Sequence, residues 1–306
     1  MNIKDARYII AIAEEKTLSQ AASVLYVSQS TLSHALSRIE SELGTTLFDR
    51  SKTPLQITDA GQVCLETARE MVLMNKNMAN RLKEIKDSQC GTFRLGLTSL
   101  ALRCYFPLVF PKVHRKFPDW DFILTTGSIS TLQEDLDKGR IDAAIMVNVK
   151  SSRYNYIPLL NYSILLAAPA SKPIEKKEGA FSVRSLENIP RIHFSSLADE
   201  KFIMTTPGQQ LYDISVQLFN ENGMEPHSLI QCGDMETIHD LIGKNIGVSL
   251  LPDIIIPHCQ SKKVQYYRID NENLDRTLAI TFMKGKFLPR VMREFIPISR
   301  EEYFKF

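Results

Sequence analysis

The stretch SVLYVSQSTLSHALSRIESELG, residues 23–44, sets short hydrogen-bonding side chains at helical spacing. Leu32, Ala35, Leu36, Ile39 and Leu43 recur as one apolar face and predict a helix from 29 to about 42. The opposite face carries Gln29, Ser30, Ser33, Ser37 and Arg38, with His34 alongside. A solvated helix face ordinarily shows Lys and Glu. A major groove admits one α-helix, and its base edges present paired donors and acceptors. Gln can bond an adenine edge at two points. Ser bonds either base type and lets the backbone come close. His34 can reach N7 or O6 of guanine, or a phosphate. The alternative is a weak helix with solvated serines.

That face needs elements to aim it. The first helix spans about Ile3 to Glu14, with Ile3, Ala6, Ile9, Ile10 and Ala13 on one side. Thr17, with Gln20 three residues on, forms a capping box for a second helix that turns Ala21, Ala22 and Leu25 inward. The turn YVS leads to Ser28, an N-cap, and Gly44 stops the third helix. Two helices joined by so short a turn make a helix-turn-helix. LQIT alternates as a short strand of a two-stranded wing, where Arg50 and Lys52 suit phosphate contacts. Arg38 suits the same use or an intramolecular partner such as Glu40 or Glu42. Thr58 is a phosphate contact or the cap of the next helix. That helix runs to about Lys86, and Cys64, Ala68, Met71, Asn75, Met78, Leu82 and Ile85 form a heptad seam along it. The seam predicts a helix-to-helix dimer contact.

DSQCGT is a hinge, and beyond it strand and helix alternate, which predicts α/β structure with a mostly parallel sheet. A first set runs from FRLGLTSL to IDAAIMV and a second from YSILLAAPA to IGVSLLP. VQYYRI and TLAITFMKG return as strands, and a helix near Arg290 to Ile296 closes the chain. Two such lobes enclose a cleft, and ligands sit at the carboxyl ends of strands. Thr98 and Ser99 fall at a helix N-terminus after one strand, and Thr126 and Ser128 occupy the equivalent place after the next. Unpaired N–H groups there favour an anion, although helix capping alone accounts for the same residues. Arg103 adds charge to the cleft or faces solvent. Asn245 in GKNIGVSLLP marks a left-handed backbone position.

The totals are consistent with this and exclude other classes. The chain has 306 residues, 44% of them hydrophobic, enough for two or three domains. Its net charge of +2 does not itself argue for nucleic acid. In the first 58 residues Lys4, Arg7, Lys16, Arg38, Arg50 and Lys52 are balanced by Asp5, Glu14, Glu15, Glu40, Glu42 and Asp49, so a DNA-binding face must gather its charge locally. Cys64, Cys90, Cys104, Cys232 and Cys259 are scattered, form no C-x-x-C and show no zinc-ligand spacing. Free thiols in a reduced compartment are expected, with a redox-sensing pair as the alternative. The N-terminus lacks signal-peptide features, no stretch approaches a membrane span, and a cytoplasmic protein is expected. No G-x-S-x-G, P-loop, H-E-x-x-H or G-x-G-x-x-G occurs, which argues against an enzyme. His193 on a strand is expected in the core, and His239 with Asp240 on a helix surface. Neither a metal nor a cofactor is expected.

The chain resembles the LysR-type transcriptional regulators. AASVLYVSQSTLSHALSRIESELGTTLFDR and ITDAG match that family's N-terminal signature, and GRIDAAI and IGVSLLP match its effector domain. The resemblance implies an all-α winged helix-turn-helix over 1–58, a long linker and dimerisation helix over 59–88, and an effector-binding domain over 91–306. The last would be two-lobed α/β, like periplasmic binding proteins. Its first lobe would span about 91–162 and 266–306, its second about 163–265. Gln29, Ser30, Ser33 and His34 become the base readers. Many members carry Pro or Ala where Ser30 stands and Arg where His34 stands, which leaves the preferred bases open. Ser99 and Ser128 are implied to line the effector pocket, with Leu100 beside them and Met204 and Thr205 from the second lobe. The implied partners are double-stranded promoter DNA, a small effector such as a carboxylate, RNA polymerase, and further copies of the chain up to a tetramer. A transport-type solute-binding protein is the rival reading, and the N-terminal module argues against it.

Overall fold

In a computed structural model, residues 1–86, 90–147, 151–171, 174, 189–259, 263–271 and 274–303 are described. The chain divides into two compact units, Met1–Ser88 with Gly285–Arg290, and Gln89–Lys284 with Val291–Phe306.

The first unit is helical. Helix α1 is Ile3–Glu15, α2 Leu18–Val24, α3 Gln29–Leu43 and α4 Asp59–Lys86; strands β1 (Phe48–Asp49) and β2 (Gln56–Ile57) pair antiparallel as a wing. Each start is capped. Asn2 and Asp5 form a reciprocal capping box on α1. Thr17 accepts from the Gln20 N–H and Ser28 from the Thr31 N–H. Gln20 returns its side chain to the Thr17 hydroxyl (2.8 Å), so the box expected there closes on a hydroxyl rather than on the backbone. Thr58 accepts from the Gly61 N–H at 2.9 Å and caps α4. Gly61 is required: a Cβ there would lie 2.1 Å from the Leu47 carbonyl oxygen.

Ala6, Ile9, Ile12, Ala21, Leu32, Leu36, Ile39 and Leu47 are completely buried in this unit's core. Two expectations change. Leu43 is exposed, because the helix ends at Gly44 in the left-handed region before the last turn meets the core. The seam on α4 is split. Cys64 and Ala68 are buried against α1 and its neighbours, and Met71 packs on the same core, whereas Met78 and Leu82 are exposed with Met74. The first half of α4 therefore completes the core of the helix-turn-helix. Ile85 and the hinge residues 87–89 lie outside the described side chains.

The second unit is α/β. Strands β3 (Gly91–Leu97), β4 (Trp120–Thr126) and β5 (Ala143–Val147) run parallel, with β3 between the other two. A turn of π-helix (Ala101–Tyr105) leads into α5 (Phe106–Lys116), and α6 (Ile129–Asp137) follows β4. Strand β6, Tyr154–Pro169, is 16 residues long and almost continuously apolar from Leu159. Its first part pairs with β12 (Asp275–Met283) and its last six residues with β10 (Ser249–Pro252) and β11 (Val264–Ile269). The β12 register slips opposite Pro158, which cannot donate to the ladder. Partners change at Ser163, whose N–H donates to buried Asp253 at 3.0 Å and whose hydroxyl donates to Asp275. The sheet order is β4-β3-β5-β12-β6-β11-β7, with β7 being Arg191–Ile192 and β10 also on β6.

Beside it lies the parallel pair β8 (Phe202–Met204) and β9 (Ser228–Gln231), followed respectively by α7 (Gln210–Glu221) and α8 (Met235–Gly243). The closing helix α9, Arg290–Tyr303, extends past the expected Ile296. No helix of the described residues is long and apolar enough to cross a membrane.

Candidate functional site

On α3, Gln29, Ser30, His34, Ser37 and Arg38 are exposed and Ser33 is half-buried. Of the six residues expected on the outer face, all but Ser33 are therefore exposed, and Leu32, Leu36 and Ile39 hold the helix from behind. The cations are less free. Arg38 is engaged by Asp5 and by Glu42 on its own helix. Arg50 donates to Glu40 (2.9 Å) and to Ser37 (3.2 Å), which draws the wing onto α3. Lys52 donates to Gln56 at 2.8 Å. Of the two readings of Arg38, the structure adopts the intramolecular one, with the expected Glu42 joined by the buried Asp5. The capping pattern Asn2-x-x-Asp5 signalled that aspartate in the sequence.

In the second unit the candidate effector residues fall at the carboxyl ends of parallel strands. Leu97 of β3 stands opposite Thr126 of β4, so Thr98, Ser99 and Leu100 lie beside Thr126 and Ser128. Thr98 accepts weakly from the Ala101 N–H (3.4 Å). Ser128 caps α6, accepting from the Thr131 N–H at 3.2 Å, so its hydroxyl has a structural use. Ser99 is exposed. Met204 ends β8, Thr205 follows it, and both are buried; Thr205, 2% exposed, has an Oγ1 with no protein partner. A buried hydroxyl without a partner is costly unless something else supplies one.

The two sets of strand ends meet through Arg103. Its guanidinium, one turn beyond Ser99, bonds Asp234 at 2.8 Å and also Glu236, at the start of α8. Arg103 thus neither lies free in the cleft nor simply faces solvent. Sequence alone carried no signal for this pairing, because the partners are over 130 residues apart. His239 is fully buried, bonding the Tyr266 hydroxyl at 2.7 Å, and burial lowers its pKa. The α8 surface expected for it is instead a packing face. His193, expected in the core, is exposed just after β7. Asn245 adopts φ 63°, the left-handed position read from the sequence. The cysteines are free thiols. Burial pushes Cys104 up to about 12 and Cys259 up to about 11. Among the described residues no cluster of His, Cys, Asp or Glu is arranged to hold a metal.

Residues 3–62 match the bacterial regulatory helix-turn-helix protein, lysR family, and residues 86–303 match the LysR substrate binding domain. The chain belongs to the LysR family. It is a DNA-binding transcriptional regulator with an effector-binding domain, in a family of regulators rather than enzymes. A hydrogen peroxide-inducible genes activator of Pectobacterium carotovorum subsp. carotovorum is 28% identical over 93% of this LysR chain and 91% of its own. Full-length OxyR C199D from Pseudomonas aeruginosa shares the fold with a TM-score of 0.68, at 21% identity over 98% of this chain and 95% of that one. CbnR complexed with its target DNA shares it with a TM-score of 0.53, at 19% identity over 99% and 100%.

Proposed function

We propose that this LysR regulator reads promoter DNA with Gln29, Ser30, Ser33 and His34 and is switched by a small anionic metabolite held at the strand ends of its second unit. The observation that carries the first half is the exposed, uncharged polar face of α3, backed by a tight core. Arg50 and Lys52 beside the wing, and Arg38 behind the reading face, position the helix on phosphates by exchanging their present partners. Thr98, Ser99, Leu100, Thr126, Ser128, Met204 and Thr205 form the effector site, with the unpartnered Thr205 hydroxyl as its strongest support. Two modules, joined through the exposed Met74, Met78 and Leu82 of α4, read half-sites of an imperfect palindrome. Pairs of such dimers assemble as tetramers, work in the cytoplasm and act on RNA polymerase.

Peroxide sensing, the role in the name of the Pectobacterium relative, is the second reading. The thiolate is the reactive form of cysteine. Cys104 and Cys259 are held as thiols by burial, and Cys64 is shifted the same way. That favours a bound metabolite over oxidation at Cys64, Cys104 or Cys259. The deciding experiment is a gel shift on operators selected from genomic DNA. Ser33→Arg abolishes specific binding while leaving the circular dichroism and melting temperature unchanged. Retained specific binding would exclude α3 as the reader. Thermal shift of the intact chain against small carboxylates and their neutral amides tests the effector half.

A further inference from the structure

We infer that Tyr26, in the turn between α2 and α3, is a sugar–phosphate contact that clamps the N-terminal rim of the reading helix to DNA. The inference rests on the DNA-binding reading above. It starts from a residue in the wrong place for the fold. Helix α2 ends in a Schellman motif: the Tyr26 N–H bonds the Ser23 carbonyl at 3.1 Å and the Val27 N–H bonds the Ala22 carbonyl at 3.0 Å. Tyr26 occupies the left-handed position of that motif, with φ 55°. Glycine fits there without strain and asparagine nearly so, whereas a side chain with a bulky ring does not. The ring gains nothing from the fold in return, since Tyr26 is 95% exposed. Backbone strain combined with full exposure of an aromatic side chain is a pattern that folding does not explain and binding does.

Charge explains why a tyrosine is used. From Thr17 to Ser37 the chain contains no Asp, Glu, Lys or Arg. The cations around α3, Arg38 on its third turn and Arg50 on the wing, are held by Asp5, Glu42 and Glu40. The rim at the start of α3 must therefore hold the DNA backbone with neutral donors. Ser28 is committed as the N-cap, 3.1 Å from the Thr31 N–H. Tyr26 stands two residues before it, with a flat ring to lie on a deoxyribose and a hydroxyl that reaches beyond any Ser or Thr to donate to a phosphate oxygen. The N-terminal residues of a recognition helix are those that contact base edges, so a clamp at this end governs how deeply Gln29 and Ser30 enter.

A neutral contact has a distinctive signature. Only Lys and Arg contacts release counterions and contribute to the salt dependence of binding. The test is fluorescence anisotropy of the full chain on a 30-base-pair duplex of arbitrary sequence, between about 50 and 200 mM NaCl. Tyr26→Gly is expected to weaken binding about tenfold at every salt concentration, the low end of what one charge-assisted hydrogen bond contributes, with an unchanged slope and a melting temperature no lower than wild type. Tyr26→Phe keeps the ring and loses about half of the logarithmic effect. A Gly variant that binds as tightly as wild type, or one whose salt slope falls by a full charge, overturns the inference. Wild-type chain that fails to bind duplex at all would instead overturn the DNA reading on which it rests.

Discussion

Asp253 shows how one residue can set the pH response of this chain. It lies 9% exposed under the point where β6 changes partners, and one oxygen accepts from the Ser163 N–H while the other has no partner. Burial pushes its carboxyl up from 3.8 to about 6, with the Ser163 and Ile254 N–H groups, and then Arg268, opposing the shift. The folded chain therefore binds this proton more tightly than the unfolded chain does. The stabilisation is complete below the unfolded pKa and is lost as pH rises through about 6. Above that, ionised Asp253 costs up to roughly 3 kcal/mol. Asp253→Asn keeps an acceptor for Ser163 and removes the charge. It should melt several degrees above wild type at pH 7.5, with the gap closing as pH falls toward 5. Scanning both proteins by calorimetry across that range checks it, and the change of the gap isolates Asp253 because His239 titrates identically in both. A gap that stays constant or widens toward acid would reject the assignment.

At the scale of elements, legibility followed the range of the interactions. Helices α1 to α3, and the caps of α2 and α3, were readable because Thr17, Ser28 and Gly44 act on backbone within a few residues. Asn245 was readable for the same reason. The α4 seam was half misread, because its apolar spacing is the same whether a partner helix or the helix-turn-helix core covers it. His239 was misplaced because its cover, Tyr266 on β11, comes from far along the chain. The bridge from Arg103 in the π-helical turn to α8 was invisible for that reason too. Those three side chains are a third to a half exposed, so the bridge contributes at most about 1 kcal/mol and is screened by salt. Arg103→Met should lower the melting temperature by no more than about 2–4 °C in dilute buffer, and by nothing measurable in 1 M NaCl. A loss that persists in high salt would mean that the arginine's stem is packed rather than its charge paired. That distinction bears on function. A salt-sensitive bridge between the two sets of strand ends is one that an anionic effector can exchange, and a ligand shifts a conformation only by differential affinity of this kind.

For the whole molecule the decisive question is how two reading helices reach one operator. A single helix touches a few base pairs, so specificity needs a second copy at fixed spacing. The surface proposed for it is on α4, where Met74, Met78 and Leu82 are 68%, 55% and 53% exposed at successive steps of four. Three large apolar side chains in a row on one helix are costly to leave in water. In a two-fold dimer each is buried twice, at about 1.5–3 kcal/mol per side chain. Met78 is already about half covered, so Met78→Lys removes at least about 1.5 kcal/mol of association and sets two ammonium groups near each other. That corresponds to a dimer dissociation constant raised more than about tenfold. Sedimentation equilibrium at micromolar concentration should show monomer where wild type shows dimer or tetramer. Binding to arbitrary duplex, which each module makes alone, should weaken little, whereas binding to a paired operator should collapse toward the same value. Specific affinity that survives in a demonstrably monomeric Met78→Lys chain would mean that one α3 suffices and that pairing through α4 is not how the operator is read.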